Sequence, residues 1–350
     1  MGQGRPLRGI VRIRTISLFA LLSCGSPAQS PPVDKPIDLP ALVDLAPAAG
    51  LDSLVDAHPR ELLAHPELLP LVFQVVPESQ IQTFERRHGG VDPLKLDDLV
   101  VASYGGSTLA LASGDFDRAR LERAFADRTT RVTARSVDKP GGPLSSIVRL
   151  EGDATDEHLA IALFGRRAVA VETHAVPGRA GPLRASELFA LHKLARARPA
   201  LRTAPLDAAA AALGDAPVRI FFPGPFEGES ASGLAGLLRA ATAVAIAVRP
   251  HVETDRSDPN DLHRAALDVT VDLLGAWNDD AAAAGQRFAA AIEAVARSDE
   301  GLLFGWNQPI RGPILRVTPT VLSIYAVLDA ARMAAGARAA TGAQIEEIMK

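Results

Sequence analysis

Residues 159–173 read LAIALF, then GRR, then AVAVET. Each flank is a short apolar run of strand length, and three residues between them cannot carry a parallel crossover, which needs a dozen or more. The stretch therefore reads as an antiparallel hairpin turning at Gly165-Arg166-Arg167. The same logic extends outward. Leu99 to Ser103 and Ser107 to Ser113 flank Gly105-Gly106, a tight bend, and Arg131 to Val137 and Ser146 to Glu151 add two more strands to an antiparallel meander. Asp115 is placed to cap a helix that buries Phe116, Ala119, Leu121, Ala124 and Phe125.

The second half repeats this texture. Val218 to Phe222, Ala243 to Val248 and Leu267 to Leu274 read as strands, with a helix expected around Gly233 to Ala241. Asn278 or Asp279 is expected to cap a helix carrying Ala281, Ala284, Phe288, Ile292 and Val295 at steps of three or four, one apolar stripe. Val317 and Val321 to Leu328 supply late strand signal, Pro319 argues for an edge or a break, and Ala330 to Met349 reads as a terminal helix. Further helices are expected at about Ala185 to Arg196 and Leu206 to Leu213. The fold class is α+β: largely antiparallel sheets packed by amphipathic helices, in two units related by pattern, 97–214 and 215–350. Before them, 51–96 is Leu- and Pro-rich and reads as short helices broken near Pro66 and Pro70.

Composition agrees with a folded body. The hydrophobic share is 47% and the charged share 22% over 350 residues, which excludes a disordered tail. Although mean hydropathy is +0.12, no uninterrupted apolar run of about 18 residues occurs, which excludes a multi-span membrane protein.

The N-terminus reads as an address. Arg5, Arg8, Arg12 and Arg14 precede Ile16, Leu18, Phe19, Ala20, Leu21 and Leu22, a basic region followed by an apolar stretch too short to cross a bilayer. That stretch ends in Leu21-Leu22-Ser23-Cys24, which resembles the lipobox of bacterial lipoproteins, although Leu22 is a less usual residue there. The resemblance implies removal of residues 1–23 as a signal peptide and lipidation of Cys24. It leaves 24–50 as the lipidated cysteine and a Pro-rich tether, and Gly25 then points to the outer membrane of the cell envelope. The rest of the chain resembles uncharacterised lipoproteins of myxobacteria only diffusely, a likeness that brings no functional motif.

Cys24 is the only cysteine, so no intramolecular disulfide is available. Loss of residues 1–23 takes four arginines and no acid, shifting the formal charge from −4 to −8. A nucleic-acid partner is therefore not expected, because phosphate binding needs a basic stripe.

Motifs for chemistry are sparse. No P-loop and no G-x-G-x-x-G occurs, nor H-E-x-x-H. The eight histidines (His58, His65, His88, His158, His174, His192, His251 and His263) are scattered, so no metal and no cofactor is expected. Ser136 to Lys139 satisfies S-x-x-K, yet it leaves a strand and lacks the companion motifs of the penicillin-recognising enzymes. Asp255, Asp258, Asn260 and Asp261 crowd one loop, but their spacing departs from the calcium template and Pro259-Asn260 is turn chemistry. No catalytic residue is assigned. The leading expectation is a non-enzymatic binding or scaffold module, anchored to the membrane through its lipid and contacting an envelope protein or an apolar ligand. The alternatives are an envelope hydrolase with a dispersed catalytic group and a carrier of an apolar ligand.

Overall fold

Residues 159–164 and 168–173 pair as their pattern requires. Leu159 lies opposite Thr173 and Phe164 opposite Ala168, across a turn in which Gly165 takes a φ of +59°. The computed structural model describes residues 37–138, 146–155, 157–174, 198–228, 230–251 and 265–348. Within them the strands are β1 (Ser53–Ala57), β2 (Leu99–Tyr104), β3 (Ser107–Ser113), β4 (Arg131–Asp138), β5 (Ile147–Asp153), β6 (His158–Phe164), β7 (Ala168–His174), β8 (Val218–Pro223), β9 (Ala241–Pro250), β10 (Ala266–Gly275), β11 (Arg311–Val317) and β12 (Val321–Asp329). The α-helices are α1 (Pro59–Leu62), α2 (Leu69–Val75), α3 (Glu78–Arg87), α4 (Arg118–Arg128), α5 (Ala204–Leu213), α6 (Ala281–Arg297), α7 (Asp299–Leu303) and α8 (Ala330–Ile348).

All twelve strands join one sheet in the order β11-β12-β10-β9-β8-β1-β2-β3-β7-β6-β5-β4. Every pairing is antiparallel. The sheet has two halves of one topology. Each half starts with three meandering strands, sends a helix across one face, and returns so that its last strand pairs with its third: β7 with β3, and β12 with β10. The first strands of the halves, β1 and β8, pair with each other at the centre. The two expected units therefore form one continuous sheet, and β1 comes from the 51–96 segment read as helical.

Register separates the two faces. Val169, Ala112, Leu99, Ala57, Val218, Val248, Val269 and Ala326 form one row across eight strands. On that face α4 packs Leu121 and Phe125 against Val148, Leu150, Leu159, Ile161 and Leu163. In the other half α6 packs Ala284, Phe288 and Ile292 against Leu273, Leu322 and Ile324. The opposite face is covered by α5 and by short 3-10 turns at Leu42–Leu45 and Ala200–Arg202. Here Leu45, Leu54, Leu109, Phe164, Leu206 and Phe221 share the largest core. Because β6 is covered on both faces, all seven of its residues are buried, which is why the six after His158 form an unbroken apolar run.

Several boundaries differ from the sequence reading. The tether expected over 24–50 is packed from Leu42 onward, since Leu42 and Leu45 are buried in the main core. Residues 233–241 form no α-helix; a short 3-10 helix at Leu237–Ala240 leads straight into β9. The first helix is capped by Asp117, whose carboxylate accepts from Arg120 N at 3.1 Å, rather than by Asp115. Asp280 is the N-cap residue of α6, and its stripe ends at Ile292 because Val295 is exposed. β11 is a full edge strand where Val317 alone gave a signal; a bulge at Gly312-Pro313 interrupts its ladder, a device that blunts exposed edges. The helix expected at 185–196 lies outside the described residues.

Candidate functional site

The helix α3 buries Ile81, and its Phe84 shares a cavity lining with Leu121, Ala124 and Phe125 of α4. Gly89 and Gly90 follow it with φ of +70° and +88°, and a Cβ on Gly89 would stand 2.9 Å from the Arg120 backbone. Only glycine permits that approach. It brings the end of α3 against the first turns of α4, which are also fastened to the rest of the fold. There the Glu122 carboxylate accepts from Arg118 Nε at 2.7 Å and from Arg135 Nη2 at 3.1 Å. Burial pushes the Glu122 carboxyl up, but those two arginines outweigh it and hold it below its ordinary range.

Beneath the two helices lies a cavity of about 200 Å³. Leu99, Ala110, Ala112, Leu159, Ile161, Val169 and Val171 form its floor on β2, β3, β6 and β7; Phe84, His88, Val91, Pro93 and Leu96 close one side, and Leu121, Ala124, Phe125 and Arg128 the other. Two of these sixteen residues are polar. The His88 ring stacks on Phe84 with centroids 3.9 Å apart, and its Nδ1 lies 2.9 Å from Phe84 O. A carbonyl only accepts, so Nδ1 carries the proton. Burial first, then the Arg128 and Arg87 charges, hold His88 down to about 4 against the opposing bond to Phe84 O, so the imidazole is neutral at pH 7. Arg128, in the last turn of α4, lines the cavity yet keeps much of its side chain exposed to solvent, and it makes no hydrogen bond or ion pair among the described residues; its partial desolvation lowers its pKa while the Glu157 charge opposes this from a distance.

Two further clefts are more polar. The larger, about 750 Å³, lies near Leu39–Leu42 and holds Arg60, Arg166 and Arg167 with Asp97, Asp98 and Asp115. Its charges largely answer one another: Arg60 bonds Asp97 at 2.6 Å and Arg166 reaches Asp115 at 3.3 Å. Asp98 is held by His58 at 2.8 Å and by the Ser113 hydroxyl at 2.6 Å. The other, about 610 Å³, runs along Phe222 to Glu227.

The scattered histidines find carboxylates. His158 Nδ1 meets Asp153 at 2.8 Å, His174 Nε2 lies 3.3 Å from Glu172, and His251 Nδ1 meets Asp268 at 2.7 Å, where Tyr325 also donates at 2.8 Å. Ser107 stands opposite His174 in the sheet, with Glu172 two residues along. This is the Ser, His and acid convergence that a dispersed hydrolase needs, but Ser107 is buried, its hydroxyl donates to Tyr104 O at 3.3 Å, and none of the three lines a described cavity. Among the described residues no group of three His, Cys, Asp or Glu could hold a metal ion. Ser136 is exposed on β4, while Lys139, the loop with Asp255, Asp258, Asn260 and Asp261, and Cys24 lie outside the described residues. No described helix is long and apolar enough to cross a membrane.

Sequence reading did not single out Phe84, His88 or Arg128 as a site. Their one signal is the spacing of Ile81, Phe84 and His88 on a helix face. The chain matches no protein-family model, no curated protein and no solved structure.

Proposed function

We propose that this protein is a lipid-anchored lipoprotein of the bacterial cell envelope, held at the outer membrane through Cys24, whose folded body binds an apolar ligand without transforming it. The observation that carries the binding reading is the cavity under α3 and α4, lined almost wholly by apolar side chains. An apolar pocket with a few polar groups is the usual form of a small-molecule site, and its described lining holds no Ser, Thr, Cys or carboxylate. The anchor rests on Leu21-Leu22-Ser23-Cys24 and the basic segment before it.

Each part has its own test. An apolar fluorescent reporter, N-phenyl-1-naphthylamine, should brighten and saturate on the full-length protein, and Ala124→Phe, which fills the cavity from α4, should abolish that signal. Equal brightening in both proteins refutes the assignment. For the anchor, Cys24→Ala should end incorporation of labelled fatty acid and release the protein from membranes; unchanged partition into the detergent phase refutes it.

A further inference from the structure

We propose that Arg128 makes this cavity selective for single-chain amphiphiles with a carboxylate head, the chain lying on the apolar floor and the carboxylate meeting the guanidinium. The inference rests on the apolar-ligand reading above and adds the chemical class of the ligand. Three observations carry it. Two of the cavity's described lining side chains are polar, His88 at the end of α3 and Arg128 at the end of α4, and the rest of the lining is apolar. His88 has already committed its Nδ1–H to Phe84 O, leaving Arg128 as the donor available to an anion there.

Arg128 makes no hydrogen bond or ion pair among the described residues, so its guanidinium is free to meet an anion at the cavity. Glu157 is the acid that acts on it, from beyond ion-pair distance. A carboxylate head would supply the missing partner in the bidentate geometry that guanidinium favours. The size argues for one chain: about 200 Å³ lies below the roughly 300–1,000 Å³ of sites for larger ligands.

The test is displacement of the bound naphthylamine reporter by dodecanoate and by 1-dodecanol, both below their aggregation limits, at pH 8. The wild-type protein should prefer dodecanoate by about 10- to 100-fold, the range expected for a hydrogen bond to a charged group. Arg128→Gln should remove that preference while leaving dodecanol unchanged. Arg123→Gln, an arginine on the same helix that does not line the cavity, should keep it. In the acid series from octanoate to dodecanoate, each methylene that still fits should tighten binding about fourfold. Equal affinity for acid and alcohol in the wild type, or a preference that survives Arg128→Gln, overturns the head-group assignment and leaves the apolar reading standing. Reporter binding that neither amphiphile displaces overturns both.

Discussion

The Phe84 ring lies over the His88 imidazole one helical turn later, at 3.9 Å between centroids and 19° between planes. The stack forms part of one wall of the cavity, where burial and the charges of Arg128 and Arg87 keep the imidazole neutral.

That preference has a sign. His88 is held down to about 4 in the folded state against an ordinary 6.5, so the unfolded chain binds the extra proton between those values. Its contribution to stability is therefore complete above pH 6.5 and is lost as the pH falls toward 4. Because the ring is only partly shielded from solvent, the loss should be about 1–2 kcal/mol, less than the full shift implies. Urea unfolding at pH 7 and pH 4.5 checks this: His88→Phe should lose less stability over that interval than the wild type, and an equal loss contradicts the assignment.

Arg219 and Asp56 meet at 2.6 Å in the middle of the sheet, with the Asp56 side chain 4% exposed. Arg219→Leu strands a buried carboxylate and should cost about 3–5 kcal/mol at pH 7. The double change Asp56→Leu with Arg219→Leu should recover most of it. Denaturant midpoints of the three variants decide the matter.

Gly89 sets how closely the end of α3 approaches α4. Gly89→Val adds a branched side chain at a φ of +70° and within 2.9 Å of the Arg120 backbone, strain of about 1–3 kcal/mol or more. Relief comes by lifting α3, so reporter affinity should fall at least tenfold while circular dichroism stays native. Unchanged affinity would show that α3 is not part of the site.

Phe288 is fully buried between α6 and the sheet. Phe288→Ala should cost about 3–5 kcal/mol, whereas Arg287→Ala, one step round the helix and exposed, should change stability by less than about 0.5 kcal/mol. Equal small effects in equilibrium unfolding would contradict the helix-on-sheet packing.

Much of the sheet was legible because its signals are local. The three-residue link between β6 and β7 forces antiparallel pairing, and the step-of-four stripe through Ala284, Phe288 and Ile292 announces a covering helix. What escaped depends on distant partners. Ser53–Ala57 alternates in burial but not in polarity, with an acid at its fourth place, and its partners are distant: β8 pairs with it and Arg219, 163 residues later, bonds Asp56. The edge strand β11 is exposed along its whole length, so neither burial nor alternation marks it. The cavity was not legible either, since its lining comes from four strands, two helices and the loop between them, and only folding brings Phe84 beside Val171.

The central pairing also bears on how the chain is made. At roughly 5–20 residues per second, the 163 residues separating Asp56 from Arg219 correspond to a wait of roughly 10–30 s. During it the first half of the nascent sheet presents β1 with one ladder of backbone groups open. A charge in the middle of such an edge discourages other strands from adding there, and only the strand bearing Arg219 cancels it. Asp56 thus works as a lock on assembly order, and Asp56→Leu should aggregate more on dilution from urea even where its folded form, in the company of Arg219→Leu, is as stable as the wild type.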